Sequence, residues 1–183
     1  MSEELDEIML DRLRKLYESL RDQMRTKFNR HVSFGDLVAD RWETARFYGF
    51  GEGTSCYNNV LILGDVKVGK NTWIGPNVIL DGSGGLEIGD NCTICAGVQI
   101  YTHNSINNGL TEGKSEIERK PVRIGSRTYI GPQSIVEKGI TIGDEVVIGS
   151  LTFVNKSIPS RTRAWGIPVQ IQAGLENDES NTN

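Results

Sequence analysis

The chain has 183 residues, a formal net charge of −4 and an isoelectric point near 5.3, enough for one domain with a real core, or for one domain plus a helical appendage. The mildly acidic balance argues against nucleic acid as an obligatory partner, because no basic face is available to displace phosphate counterions. No apolar run approaches the length of a membrane span, and the N-terminal MSEELDEIML is acidic where a signal peptide would be basic, so we expect a cytoplasmic protein.

An amphipathic helix is predicted from about residue 4 to residue 28. Basic and acidic residues are interleaved along it, so we expect it to cap or pack on the solenoid predicted below rather than on a membrane. Residues 1–50 then form a helical segment with a polar connector, in which His31 is expected to be an ordinary surface histidine. The apolar side chains at helical spacing are Leu5, Ile8, Met9, Leu13, Leu16, Leu20 and Met24.

A six-residue repeat begins at Val60. Thirteen pairs of mostly apolar residues, each pair separated by one residue, recur along the chain, and a glycine commonly follows, as in IGPNVI, IGDNCT and IGPQSI. The step is six residues except for eight between Leu80 and Ile88 and twenty-four across a polar segment. Short strands with one buried face and a turn every six residues predict a solenoid of hexapeptide repeats. The pairs are Val60/Ile62, Val66/Val68, Thr72/Ile74, Val78/Leu80, Leu86/Ile88, Cys92/Ile94, Val98/Ile100, Val122/Ile124, Thr128/Ile130, Ser134/Val136, Ile140/Ile142, Val146/Ile148 and Thr152/Val154.

Cys92 and Cys95 form a C-x-x-C within the repeat. This spacing also occurs in half of a zinc site and in redox pairs, but the chain has no second pair and no nearby histidine to complete four ligands. Cys92 falls on the inward position of the repeat, where packing needs a small apolar side chain. A core position is therefore the favoured interpretation, and we expect no metal site.

The repeat, together with the C-terminal VNKSIPSRTRAWGIPVQI and its lysine, Ile-Pro and Gly-x-Pro, resembles the hexapeptide-repeat acyltransferases. The likeness is greatest to bacterial sugar acetyltransferases of the maltose, galactoside and polysaccharide-biosynthesis type. It implies an all-β solenoid, a left-handed parallel β-helix over residues 51–171, with an excursion loop at 102–121. The remaining residues 172–183 are polar and acidic, so we expect a disordered tail there.

In the resembling family three hexads make one triangular coil, which sorts the outward residues into three columns. The second column is polar and comprises Lys67, Glu87, Arg123 and Thr141. The third column holds Trp73, Thr93, Tyr129 and Val147, and the first holds Leu61, Ile79, Gln99, Ile135 and Phe153. An apolar exterior must be covered, either by neighbouring subunits or by the N-terminal helix. The resemblance accordingly implies a homotrimer.

The excursion begins beside His103, one of only two histidines in the chain. By the face count it leaves and rejoins the solenoid at one corner, with Asp81-Gly82-Ser83 directly below and Glu137-Lys138-Gly139 directly above. Stacked strands lie about 4.8 Å apart, so a carboxylate one coil away is within reach of an imidazole. Histidine can accept a proton at neutral pH, and a carboxylate on its other ring nitrogen would fix the tautomer.

The resemblance implies that His103 is a general base, that Asp81 orients it, and that acetyl-CoA is the acyl donor. Many relatives carry a second histidine two residues later, where this chain has Ser105, so either His103 acts as the base or the chain has lost one. The implied acceptor contacts are Asn77, Tyr101 and Asn104. The implied donor contacts are Ser150, Asn155 and Lys156, with Arg161 and Arg163 as candidates that could equally belong to a solvated terminus.

The leading hypothesis is an acetyl-CoA-dependent acetyltransferase acting on a hydroxyl or amine of a sugar or nucleotide-sugar. The acceptor attacks the thioester directly in a ternary complex, His103 takes the proton, and backbone N–H groups stabilise the oxyanion. Two alternatives stay open. One is a metal-dependent hydratase of the carbonic anhydrase type, which needs three histidines where this chain has two. The other is a non-catalytic β-helix that serves as a scaffold or assembly subunit.

Overall fold

The computed structural model describes the backbone of residues 2–173 and the side chains of residues 5–172. The fold is a left-handed parallel β-helix with helices at its N-terminal end. The helices are α1 (Ser2–Phe28), α2 (Phe34–Val38), α3 (Arg41–Phe47) and α4 (Ile106–Leu110). The strands are β1 (Ser55–Cys56), β2 (Leu61–Val68), β3 (Trp73–Ile74), β4 (Ile79–Ile88), β5 (Thr93–Ile94), β6 (Gln99–Ile100), β7 (His103–Asn104), β8 (Glu118–Arg119), β9 (Val122–Ile124), β10 (Tyr129–Ile130), β11 (Ile135–Val136), β12 (Thr141–Ile142), β13 (Val147–Ile148), β14 (Phe153–Val154), β15 (Thr162–Trp165) and β16 (Gln170–Ala173).

The strands stack into three parallel faces, and the strand register confirms the predicted columns. The third face has the order β1-β3-β5-β10-β13-β15. The strands β2 and β4 bend around a corner, so their first halves pair within the first face and their second halves within the second. The first face continues through β6, β11 and β14, and the second through β9 and β12. The outward residues Lys67, Glu87, Arg123 and Thr141 are register partners in succession.

The core is the column of inward side chains inside the triangular coil. Every inward residue of the predicted pairs from Val68 to Val154 is buried, and Cys92 is among them. Full burial of one aliphatic side chain stabilises the fold by roughly 1.5–3 kcal/mol, and the coil repeats that gain at each level. The exceptions are Val60, Ile62 and Val66, which are half-buried because they lie near the N-terminal end of the β-helix.

Four inward positions hold hydroxyl residues, which a purely apolar core would not accept. Their hydroxyls donate to backbone carbonyl oxygens of the corners, at 3.1 Å for Thr72 and Gly89 and at 2.9 Å for Ser134 and Gly149. Buried polar groups cost little when they are hydrogen-bonded in this way. Thr128 and Thr152 make equivalent bonds.

The N-terminal helices do not all pack on the coil. Helix α1 has almost the predicted bounds, but it packs on α2, where the rings of Tyr17 and Phe34 lie 6.1 Å apart. Helix α3 packs against β1 and buries Ala45, and together with buried Phe50 it covers the first coil. Asp40 caps α3 by accepting from the backbone N–H groups of Trp42 and Glu43. The short helix, rather than the long one, closes this end of the solenoid.

The C-terminal end is closed by the antiparallel pair of β15 and β16, which buries Ala164 and Val169. Strand β16 runs to Ala173 and so includes the first two residues of the predicted tail. The rest of that predicted tail lies outside the described residues. Within residues 2–173, no helix combines the length and apolar character that crossing a bilayer requires.

Candidate active site

The excursion leaves and rejoins the β-helix at the corner between the first and second faces, as predicted. It leaves after β6, forms the antiparallel pair of β7 and β8 around α4, and returns to β9. The backbone N–H of Lys120 donates to the Thr102 carbonyl oxygen at 2.9 Å, which ties the two ends together. The loop therefore has a fixed base, and His103 lies on that base.

The corner beneath His103 is two residues longer than the corner of the preceding coil. Gly64 pairs with Gly82, but Val66 pairs with Leu86, so β4 accommodates the extra residues as a bulge. A Cβ at Gly84 would lie 2.6 Å from the Thr102 carbonyl oxygen, and Gly85 has a φ of +91°. Only glycine accepts both constraints without strain. The eight-residue step in the sequence marks this corner.

His103 and Asp81 form a hydrogen-bonded pair across two adjacent coils. The His103 Nδ1 atom lies 2.6 Å from Oδ2 of Asp81, whose side chain is fully buried, and 3.1 Å from the Ser83 hydroxyl oxygen. An ionised carboxylate can only accept, so the shared proton belongs to Nδ1. This tautomer leaves Nε2 with a lone pair, on a side chain that is one third exposed. The imidazole is thereby prepared to accept a proton from solution or from a ligand.

Asp81 is held as a carboxylate by its surroundings. Burial by itself would raise the pKa of this carboxyl group. The backbone N–H groups of Thr102 and Ser83, at 2.8 and 3.0 Å, and the imidazole of His103 all donate to it, and together they hold the pKa below its ordinary value. Asp81 is thus buried and ionised at neutral pH, and hydrogen bonds from the protein stabilise its charge.

The returning strand of the excursion is joined to the coil above by an ion-pair cluster. Glu118 lies 2.9 Å from the Lys120 ammonium group and 3.2 Å from that of Lys138, which is 11% exposed. The hydrogen bonds with Lys120 and then Lys138 lower the pKa of the Glu118 carboxyl, and Glu118 in turn raises the pKa of Lys120. We call Glu118, Lys120 and Lys138 the latch.

The three residues expected to contact the acceptor lie in two places. Tyr101 and Asn104 flank His103 at its corner, and the Tyr101 hydroxyl donates to Gln99 at 2.8 Å. Asn77 lies at the corner between the third and first faces, where its side chain accepts from Asn59 at 2.9 Å and its φ is +57°. The structure therefore brings two of these three residues to His103, and Asn77 has a structural role at another corner.

The five residues expected to contact the donor are also divided. Asn155 and Lys156 follow β14 and lie in the same stack of corners as His103, two coils above it. Ser150 follows β13 at the corner of Asn77, and Arg163 faces outward on the third face. Arg161 lies at the remaining corner, with its guanidinium 3.6 Å from the Glu145 carboxylate. Only Asn155 and Lys156 share a corner with the histidine.

A separate cavity of about 400 Å³ lies between α1, α2 and α3. Three of its charged groups, those of Asp36, Asp40 and Arg41, already have structural partners. Asp36 accepts from Ser33 and from the Asn58 backbone, Asp40 caps α3, and Arg41 lies over the rings of Trp42 and Tyr57. This cavity is remote from His103, so we place the candidate site at the corner and not there.

Two family models match the solenoid. One described as bacterial transferase hexapeptide (six repeats) matches residues 121–156, and one described as hexapeptide repeat of succinyl-transferase matches residues 65–102. Among solved structures, a maltose O-acetyltransferase from Clostridium difficile 630 is 27% identical, with a TM-score of 0.56 over 90% of this chain and 89% of that one. These matches support the hexapeptide-repeat acyltransferase superfamily.

Other known proteins are similar to the chain over different lengths. Galactoside acetyltransferase in complex with coenzyme A has a TM-score of 0.66 at 23% identity, covering 93% of this chain and 86% of that one. AntD, an N-acyltransferase from Bacillus cereus in complex with dTDP and 3-hydroxybutyryl-CoA, has a TM-score of 0.63 at 20% identity, covering 70% and 73%. The bifunctional protein GlmU of Lactobacillus helveticus is 38% identical over 79 residues, which is 41% of this chain but only 16% of GlmU.

Sequence reasoning missed several residues that complete the site. Thr102 and Ser83 both donate to Asp81, and their backbone groups carry no signature that a side-chain pattern reveals. The eight-residue step and the run DGSGG are the signals that could have directed attention to them. Glu118 and Arg119 return beside His103 through a strand pairing that has no periodic pattern to predict it.

Proposed function

We propose that this protein is an acetyl-CoA-dependent acetyltransferase that modifies a hydroxyl or amine of a sugar or nucleotide-sugar. The observation that carries the proposal is the 2.6 Å hydrogen bond from His103 Nδ1 to a fully buried Asp81 carboxylate. It assigns the proton of Nδ1 to the bond with Asp81 and leaves Nε2 as the atom that can accept a proton, at the point where a loop leaves the solenoid. The solved galactoside, maltose and AntD transferases, with coenzyme A or acyl-CoA in two of them, support the reaction class.

In the proposed mechanism, His103 Nε2 takes the proton of the acceptor as its oxygen or nitrogen attacks the thioester carbonyl carbon. The tetrahedral intermediate collapses, the C–S bond breaks, and the imidazolium returns the proton to the coenzyme A thiolate. General-base assistance of this kind contributes typically 10²–10⁴-fold. Asp81 favours the reaction by keeping the ring in the Nε2-free tautomer and by balancing the charge of the transient imidazolium. Donors at the developing oxyanion would come from backbone N–H groups.

The donor is proposed to lie along the stack of corners above His103. Asn155 and Lys156 lie about 10 Å from the histidine level, which is two coil spacings. That distance suits a flexible arm that enters from the C-terminal coils and brings its thioester down to the imidazole. Lys156 is exposed and lies within 4 Å of no carboxylate among residues 5–172, so its charge is available for a phosphate.

We further propose a homotrimer in which the site lies between two copies. The first face exposes Leu61 and Ile135, at 49% and 36%, and the third exposes Tyr129 at 39%. Burying such columns between copies would remove apolar surface from water. An intersubunit site would also account for why Asn77 and Ser150 lie at a different corner from His103, because that corner of a neighbouring copy could face His103.

The cytoplasmic location of the protein also stays a prediction.

The experiment that tests the function is turnover of acetyl-CoA by the full chain with a panel of sugars and nucleotide-sugars. Release of the coenzyme A thiol and the mass increase of the acceptor are both followed. His103→Ala should lower kcat by roughly a hundredfold to ten-thousandfold, because it removes the proton acceptor. His31→Ala, a distant exposed histidine, is the matched control and should change nothing. A His103→Ala protein that acetylates the acceptor at the parental rate would refute the mechanism, and failure of the parent to bind coenzyme A would favour a scaffold.

A further inference from the structure

Arg119 is paired directly with His103 at the base of the excursion. Strands β7 and β8 are antiparallel, with His103 opposite Arg119 and Asn104 opposite Glu118. The next pair along the two strands, Thr102 and Lys120, is hydrogen-bonded, because the Lys120 N–H donates to the Thr102 carbonyl oxygen. His103 and Arg119 are then a non-hydrogen-bonded pair, whose side chains project from the same face with Cβ atoms about 4.5–5.5 Å apart.

The guanidinium of Arg119 differs from the neighbouring ammonium groups in its partners. Lys120 and Lys138 are both bound to Glu118 through the latch. Arg119 lies within 4 Å of no carboxylate in the part of the chain whose side chains are described, although Glu137 lies at the corner above. Its guanidinium donates to the Ile117 carbonyl oxygen at 3.5 Å, the long limit of such a contact. The guanidinium is therefore exposed and is not neutralised by the protein.

A solvated surface arginine usually has no binding role, but the position of this one is fixed. The strand pair and the latch hold its backbone beside the proposed base, so its guanidinium can reach the space in front of Nε2. A guanidinium offers planar paired donors that match the oxygens of a carboxylate or phosphate. A bound anion would supply the negative charge that the described carboxylates do not supply to Arg119.

We propose that Arg119 binds an anionic group on the acceptor, a carboxylate or a phosphate carried close to the hydroxyl or amine that is acetylated. This inference rests on the proposed function and narrows its substrate class to acidic sugars, such as uronic acids, sugar phosphates and nucleotide-sugars. The proximity of Arg119 to His103 places the anion within a few bonds of the reacting atom. Arg119 is thus proposed to bind the acceptor near the reacting atom, whereas Lys156 is proposed to bind the donor two coils away in the same stack of corners.

The test compares the parent, Arg119→Ala and Arg119→Lys in the full chain, with acetyl-CoA saturating and matched pairs of charged and neutral acceptors. The pairs are glucuronic acid with glucose, glucosamine 1-phosphate with glucosamine, and a UDP-sugar with its free sugar. Arg119→Ala should reduce kcat/KM for the charged member by roughly ten- to hundredfold, the loss expected for one charge-assisted hydrogen bond, and should leave the neutral member unchanged. Arg119→Lys should restore part of the loss, because a lysine keeps the charge but not the paired donors.

The controls separate this inference from the proposed function. Lys114→Ala removes another cation of the excursion, one that is paired with Glu112, and should affect neither class of acceptor. Calorimetric binding of the same acidic sugars in the absence of acetyl-CoA needs no turnover. Binding that depends on Arg119 without any acetylation would keep the anion site and remove the acetyltransferase. Equal losses for charged and neutral acceptors, or a raised KM for acetyl-CoA with an unchanged acceptor KM, would overturn the proposal for Arg119.

Discussion

His103 and Asp81 are 22 residues apart in the chain, yet the Nδ1 atom of one lies 2.6 Å from Oδ2 of the other. The stacking of one coil on the next produces this contact, and the two-residue bulge after Leu80 gives the corner its shape. The imidazole rests on a carboxylate that has no exposure of its own. The orientation of the ring is therefore set by the solenoid and not by the outer part of the loop.

Asp81→Asn should cost both activity and stability. An amide cannot accept from Thr102, Ser83 and His103 at once, because its NH₂ group would oppose one of these donors. Leaving a buried donor unpaired costs about 1–3 kcal/mol of unfolding free energy. The loss in kcat should be smaller than for His103→Ala, since the base remains. Urea unfolding and steady-state kinetics measure the two effects separately, and a variant as stable as the parent would contradict the assigned hydrogen bonds.

The stability difference between the parent and Asp81→Asn should depend on pH. The folded-state pKa of Asp81 is below its ordinary value of 3.8, so the carboxylate stabilises the fold fully above that value. This contribution is lost as the pH falls toward the folded-state pKa. The difference in unfolding free energy should therefore shrink between about pH 5 and about pH 3. Asp65→Asn, at an exposed acid, is the control and should show no such trend. If the difference in unfolding free energy grew as the pH fell, it would contradict the lowered pKa of Asp81.

Breaking the latch should loosen the excursion without unfolding the β-helix. Glu118→Gln removes the negative charge shared by Lys120 and Lys138, so amide hydrogen exchange should become faster over residues 104–119. High salt should have a similar effect on the parent, because exposed ion pairs are screened. Glu112→Gln, whose partner Lys114 is also in the loop, is the matched control. Unchanged exchange in Glu118→Gln would show that the β7–β8 pairing alone holds the loop.

Lys156→Ala should raise the KM for acetyl-CoA and have a smaller effect on the acceptor. A phosphate contact far from the reacting carbon binds the ground state and the transition state equally, so kcat should be nearly unchanged. Lys70→Ala removes an exposed lysine from a different corner near the N-terminal end and serves as the comparison. Equal coenzyme A affinity in Lys156→Ala and the parent would remove Lys156 from the donor site.

Tyr129→Glu and Ile135→Glu should weaken the proposed trimer. Each places a charge on an outward column that is otherwise largely apolar, and an unpaired charge is costly to bury in an interface. Thr141→Glu makes the same change on the polar second face and should leave the assembly intact. Light scattering during size-exclusion chromatography gives the mass directly. A parent that remains a monomer at every concentration would exclude the homotrimer.

The six-residue pattern alone determined most of the solenoid. Because each hexad places two side chains inward and one outward, the pairs from Val68 to Val154 predicted both the core and the outward columns. The first strand, Ser55–Cys56, escaped prediction because no complete apolar pair identifies it. Helix α3 was missed for a similar reason, since its 7 residues are too few to show a helical period.

The site was only partly determined in this way. Counting faces was enough to place Asp81 under His103, because the spacing between coils is fixed by the repeat. The sequence alone could not show that Arg119 faces His103 or that Glu118 reaches Lys138, because both contacts depend on how an aperiodic loop folds back. The face count already separates Ser150 from His103, because Ser150 lies between the third and first faces, whereas Arg161 follows the last predicted pair and was not covered by that count. The periodic packing is determined by the local sequence, whereas the contacts between the loop and the corner form only in the tertiary structure.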